Sequence, residues 1–270
     1  MKTEAEFSDA VQFKLINKPY RKYYEELVKI TNLMLNVWPN LSALEATIQP
    51  YVDMGKFDID ILAWLDIMKD IHPNDIVANL AVGDGKLEVL KWLATKNIYP
   101  TNDGTNIATG KGHLEILKWL AATKNVYPTV NGANIAAEEG RLETLKWLAT
   151  KYIYPGVIGA NYAAKNGHLE VIKWLATKNI YPDYQGFILA AGEGHLEILK
   201  WLPKISGIQG FDYFKGAADR AAENGHLEVV KWLAATKNVY PGRTSAYGAK
   251  KNGNVEVVKW LTEHGIYPRE

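Results

Sequence analysis

The chain has no cysteine, which excludes a disulfide framework and any thiolate metal site. It has no excess of either charge: 31 Lys and Arg face 30 Asp and Glu, a net charge of +1. Polyanion binders usually show a marked basic excess, so the sequence predicts no nucleic-acid partner. No run of 18 apolar residues occurs, which predicts no membrane span and no membrane partner. Residues 1–10 lack the apolar stretch of a secretory signal, and with the missing cysteines this predicts an intracellular protein. The motifs of common chemistries are missing too: there is no phosphate-binding loop, no HExxH and no GxSxG. No catalytic, cofactor-binding or metal-ligating residue is therefore assigned, and neither a cofactor nor enzyme activity is expected.

What the chain has in quantity is tryptophan, 9 copies, and their order is informative. From Trp64 onward they fall at 64, 92, 119, 147, 174, 201, 232 and 260, in steps of 28, 27, 28, 27, 27, 31 and 28. Each from Trp92 onward closes one phrase, GKLEVLKWL at 85–93, GHLEILKWL at 112–120 and so on to GNVEVVKWL at 253–261. A fixed period of this length marks a stack of repeated supersecondary units.

One unit reads as two helices. In the first full phrase Leu87, Val89, Leu90, Trp92 and Leu93 cover more than half a helical wheel, leaving Glu88 and Lys91 to pair at i, i+3. A helix that apolar must be covered on several sides. A shorter helix precedes it, built on Asn79-Leu-Ala, Asn106-Ile-Ala, Asn134-Ile-Ala and Asn161-Tyr-Ala, whose small residues permit close approach. A glycine breaks the chain between the two. Five residues past Trp92 stands Asn97, and at the equivalent positions stand Asn125, Asn179, Asn238 and Gly265, the types that tolerate a left-handed C-cap; the copies of Asn125 and Asn238 carry one added alanine. Tyr-Pro then bars further helix, as at Tyr99-Pro100 and Tyr181-Pro182. Tyr152 replaces the capping Asn in one copy, and the sequence offers no account of it.

The segment at 163–175, Ala-Ala-Lys-Asn-Gly-His-Leu-Glu-Val-Ile-Lys-Trp-Leu, closely resembles the helix–turn–helix core of the ankyrin repeat, as does 221–233. The resemblance spans 75–270 and, more faintly, 52–74. It implies an all-α, slightly curved solenoid of seven to eight stacked units. Ankyrin repeats run to about 33 residues and open on Thr-Pro-Leu-His; here that opening is missing, so the β-hairpin fingers are expected to be reduced or absent. The Lys-Trp-Leu form looks like the arrays of giant DNA viruses of protists, which would place the protein in host cytoplasm or in a virion. The family resemblance also implies protein binding and no catalysis.

The domain division expected is a helical N-terminal cap at 1–50, with a docking module as the alternative, followed by the array at 51–270. Within the array, 54–71 reads as a degenerate repeat around Trp64. The last helix, 255–261, keeps the internal pattern and leaves an uncapped end open to self-association. After Trp201, Pro203 breaks the long helix and the segment 203–215 replaces the usual linker, bringing Phe211, Tyr213 and Phe214. Those rings read either as filler for the missing Tyr-Pro or as interface aromatics.

The row of His113, His168, His195 and His226 is too widely spaced for one metal and reads as local turn packing at the helix start. The tryptophan ladder reads as core or rim packing. The paired Glu and Lys rows, Glu115/Lys118 and its equivalents, read as a solvated face. Partner choice is assigned to positions that vary between copies. These are the tips after each Tyr-Pro (Asn102, Asp103, Val130, Asn131, Val157, Ile158, Asp183, Tyr184, Gln185 and Arg243), the residues before each Gly (Glu138, Lys165 and Glu223), and Phe211, Tyr213 and Phe214. The function expected is binding of a protein partner through the short-helix and loop face; the alternative is a structural or scaffold component of a viral particle or other assembly.

Overall fold

The computed structural model describes residues 73–204 and 210–268, with Ile59 alone before them. The expected cap at 1–50 and the degenerate repeat at 54–71 lie outside the described residues, Ile59 excepted. Residues 63–270 form one compact unit. Its described part is a succession of short and long helices: α1 (Asp75–Gly83) and α2 (Leu87–Thr95), α3 (Asn102–Lys111) and α4 (Leu114–Lys124), α5 (Val130–Glu138) and α6 (Leu142–Ala149), α7 (Val157–Lys165) and α8 (Leu169–Ala176), α9 (Tyr184–Gly192) and α10 (Leu196–Trp201), α11 (Phe211–Glu223) and α12 (Leu227–Lys237), α13 (Arg243–Lys251) and α14 (Val255–Glu263). No strand occurs among the described residues. The fold is an α-solenoid, with no β-hairpin finger among the described residues.

Local chemistry sets the boundaries. Each turn between the two helices of a unit passes through a glycine in the left-handed region, as at Gly167 with φ +81°. The expected left-handed caps after the long helices are all present, Asn97, Asn125, Asn179 and Asn238 at φ 53–59° and Gly265 at 77°. Tyr152 adopts the same conformation, φ 59°, with its ring 88% exposed. A ring in solvent does not offset the steric cost of that φ, so Tyr152→Asn should stabilise the protein by about 0.5–1 kcal/mol. A guanidinium unfolding midpoint that falls on this substitution would show that the tyrosine makes a contact of its own.

The long helices supply the large core residues. Leu90, Leu93, Leu145, Leu148, Ile172 and Leu175 are fully buried, each contributing roughly 1.5–3 kcal/mol of burial. The short helices supply alanine. Ala108, Ala136, Ala163 and Ala190 are at 0% exposure, and each short helix packs along the short helix of the next unit as well as against its own long partner.

A polar ladder runs through this small-residue seam. The Oδ1 of Asn79 accepts from the backbone N–H of Thr101 (2.8 Å). Asn106 accepts from Thr129 (2.9 Å), Asn134 from Gly156 (2.8 Å) and Asn161 from Asp183 (2.9 Å). Each acceptor belongs to one short helix, and each donor is the cap residue of the next. The opposite ends are tied in the reverse direction. Nε2 of His113 lies 3.1 Å from the Gly83 carbonyl and that of His226 2.8 Å from Gly192 O, while Arg141 Nε donates to Gly110 O (2.8 Å). The turn position expected to pack locally therefore reaches back one whole unit, to the carbonyls that the preceding short helix leaves unpaired at its C-terminus.

Candidate interaction surface

Packing of the short helices leaves one of their faces to solvent. The residue after each ladder position lies on it: Leu80, Ile107, Ile135, Tyr162 and Leu189, one apolar side chain in each of five consecutive units. Ile107 is 46% exposed and Tyr162 39%; the other three are half-buried. One turn earlier, Ile158 stands 63% exposed beside Tyr162. At the bases of these side chains lies the preceding unit: a Cβ on Gly83 would stand 3.4 Å from Ile107 Cγ2, and one on Gly110 would overlap Ile135. The row is thus seated on the stack while its outer edges remain in water. It then changes character, the next two positions being Arg220 and Gly248.

The residues expected at loop tips lie elsewhere than on loops. Asp183 is a helix cap, its Oδ1 accepting from Gln185 N–H (2.9 Å). Asn102, Asp103, Val130, Asn131, Val157, Ile158, Tyr184, Gln185 and Arg243 occupy first turns of short helices, all exposed. With the fingers gone, Pro leads straight into the cap and helix. Glu138, Lys165 and Glu223 sit half-buried in last turns.

The segment at 203–215 also departs from expectation. Leu202–Lys204 forms a 3-10 turn, and from Phe211 onward the chain is helical, making α11 the longest helix described at 13 residues. Phe211 is 64% exposed in its first turn, and Tyr213 is half-buried, edge-on to Tyr184 with ring centroids 5.0 Å apart. Phe214 cannot meet a partner. It is 5% exposed and packs edge-to-face on the fully buried Phe187 at 5.7 Å, a core contact that fixes this end of α11.

The tryptophan row is half-buried and the Glu–Lys rows are paired. Every tryptophan from Trp92 to Trp260 is half-buried, and Trp147, Trp174, Trp201, Trp232 and Trp260 lean on the core from its rim. In six units the Glu–Lys pairs close at 2.7–3.1 Å on exposed helix surface. Such pairs are worth about 0.2–0.5 kcal/mol each and leave no net charge. A second lysine row has no such partner. Lys124, Lys151, Lys178 and Lys237, at the ends of the long helices, are exposed and make no ion pair among the described residues. At the last unit Val255 is 71% and Tyr267 58% exposed, and Trp260 stacks on His264 at 3.9 Å. Among the described residues no group of three or more His, Asp or Glu could hold a metal ion. None of the described helices is long and apolar enough to cross a membrane.

No curated protein matches the chain. Among solved structures it is similar to the pentatricopeptide repeat protein PPR10 from maize, at 11% identity and a TM-score of 0.38, with 98% of this chain and 44% of that one covered. It is also similar to PPR10 in complex with an 18-nt psaJ RNA element, at 14% identity and a TM-score of 0.47, covering 98% and 46%. The chain thus spans less than half the length of these proteins, and at such scores they assign nothing to it. The exclusion of nucleic acid drawn from net charge is nevertheless corrected. A net charge near zero says nothing of how charge is distributed over rows: the lysines at 124, 151, 178 and 237 make no ion pair among the described residues, while the carboxylates that balance them are spent elsewhere. The family comparison is specific. The model of the ankyrin repeats matches residues 187–270 in three copies, the stretch that holds α10 to α14 and most of α9. Residues 187–270 match the ankyrin-repeat model, and the units from α1 to α8 repeat the same two-helix plan.

Proposed function

We propose that this array is a non-enzymatic interaction module that binds a protein through the short-helix face, with the row from Leu80 to Leu189 at the centre of the contact. The observation that carries the reading is the row itself: five units in succession place an apolar side chain at the position after the ladder residue, where it is left partly open to water. Apolar and aromatic centres with a polar rim are the usual anatomy of a protein interface. The rim here is Asn131, Gln185, Lys165 and Glu138. Ankyrin repeats as a class point the same way, towards interaction and away from catalysis.

The test is affinity capture with crosslinking, comparing the full chain with its Ile158→Asp/Tyr162→Asp variant. Both side chains are among the most exposed on the face, so the fold should survive. Loss of a central aromatic anchor typically costs 2 kcal/mol or more, so the variant should bind a partner captured by the parent at least about tenfold more weakly. Crosslinks confined to the long-helix surface, or equal affinity of parent and variant, would overturn the assignment.

A further inference from the structure

The second lysine row has a setting of its own. Five linkers, 94–100, 122–128, 149–155, 176–182 and 235–241, each carry one lysine, a tyrosine before the closing proline and no carboxylate. They follow the long helices along one edge of the units. Several ammonium groups are steered by an aromatic ring, of the preceding unit for Lys124 and Lys151 and of its own unit for Lys237. Lys124 Nζ lies 4.8 Å from the Tyr99 ring centre, Lys151 5.9 Å from Tyr127 and Lys237 4.7 Å from Phe214. Lys124 also donates to Asn97 Oδ1 (3.1 Å). A ring or an amide orients a cation without neutralising it. The Glu-paired row beside it differs in this respect, its charges being cancelled within each helix. The nearby carboxylates Asp103, Asp183 and Asp212 stand in caps or first turns, where the N–H ends of the short helices offset their charge.

We propose that this edge is a second binding surface, for a single-stranded nucleic acid whose phosphates meet the row Lys124, Lys151, Lys178 and Lys237. Packed helices stand about 8–10 Å apart, so Lys124, Lys151 and Lys178 follow one another unit by unit, and Lys237 stands two units on, past the α9–α10 unit whose linker is replaced by 203–215. Tyr154 and Tyr181 are half-buried, and no lysine lies over them among the described residues, leaving ring surface on which bases can stack. Net charge conceals such a site, because the carboxylates that balance it lie in the other row and on other faces.

The test is fluorescence anisotropy of a labelled 20-mer of oligouridine titrated with the full chain. Four phosphates neutralised at about 0.7 each give a log–log salt slope near −3, so affinity should fall roughly 50-fold between 50 and 200 mM salt. The variant Lys124→Gln/Lys151→Gln/Lys178→Gln/Lys237→Gln should flatten that slope and bind more than about tenfold more weakly at 50 mM salt. The matched variant of the paired row, Lys118→Gln/Lys146→Gln/Lys173→Gln/Lys200→Gln, should leave both unchanged. Circular dichroism confirms that each variant is folded. No binding at 50 mM salt, equal losses in the two variants, or competition by polyglutamate as strong as by unlabelled oligouridine would each overturn the proposal, the last by making the edge a site for acidic protein.

Discussion

Gly159→Ala should destabilise the protein by about 2 kcal/mol, although helix propensity alone gives the opposite sign and about 1 kcal/mol. Gly159 lies inside α7, where alanine is ordinarily the better residue. Its Cβ, however, would stand 2.7 Å from Asn134 Oδ1, 2.9 Å from Asn134 Cα and 2.9 Å from Pro155 Cβ. One of these is backbone and another belongs to a ring, so the contact is relieved only by moving α5 and α7 apart. Overpacking of this kind costs about 1–3 kcal/mol, and the strained Asn134–Gly156 hydrogen bond adds about 1 kcal/mol. Gly156→Ala is the control. Only Asn134 Oδ1 comes within 4 Å of its Cβ, at 3.9 Å, and its effect should stay within about 0.5 kcal/mol. The measurement is the guanidinium midpoint at constant slope. A midpoint raised by Gly159→Ala would mean that the short helices do not approach as closely as described.

The ladder itself should be worth nearly as much. Asn106 is 7% exposed, and its Oδ1 accepts from both Thr129 N–H (2.9 Å) and Thr129 Oγ1 (3.2 Å). Asn106→Ala leaves the partly buried N–H without its partner, a loss of about 2 kcal/mol. Aspartate at ladder positions should separate geometry from charge. At Asn134 the partner is the uncharged Gly156, and an added carboxylate still accepts the bond. At Asn161 the partner is Asp183, whose carboxylate already takes a bond from Asn161 Nδ2 (2.8 Å). Asn161→Asp would therefore set two carboxylates together, and should be the more damaging of the two changes at pH 7. Protonating one of that pair removes the repulsion, so the deficit should shrink as pH falls. Equal losses at the two sites, independent of pH, would refute the hydrogen-bond geometry given for Asn161.

The chain has made one such exchange already. Asp219 stands in the ladder place of α11 and accepts from Gly242 N–H (2.6 Å). Lys215 Nζ pairs with it at 2.6 Å, and the Ser245 hydroxyl donates to it at 2.5 Å. Where the ladder residue gained a charge, a cation arrived one turn before it. The glycine of the following helix became serine, a donor in the place where other copies need only room. In α9 the place is taken by Ile188, whose Cδ1 would lie 2.7 Å from a Cβ on Gly216. The linker that an asparagine there would have capped is the one replaced by 203–215.

These exchanges mark where reading the sequence stops. The period, the pairing of a short with a long helix, the glycine turns and the asparagine caps were legible because each depends on a residue and its near neighbours. A left-handed φ is tolerated or not according to the side chain that must adopt it. The Glu–Lys pairs were legible for the same reason, three residues apart on one helix. The row Leu80, Ile107, Ile135, Tyr162 and Leu189 left a signal that could have been found, an apolar residue after the ladder position in five consecutive copies, but not the fact that this place is partly open to water. The tertiary structure alone decided that Phe214 is core and Phe211 surface, and that His113 and His226 tie their units to the ones before them. All of these depend on contacts between units some 22–34 residues apart in the chain. A repeat shows that such a contact recurs. Which atoms make it is settled only when the short helices close to the distance that alanine and glycine allow.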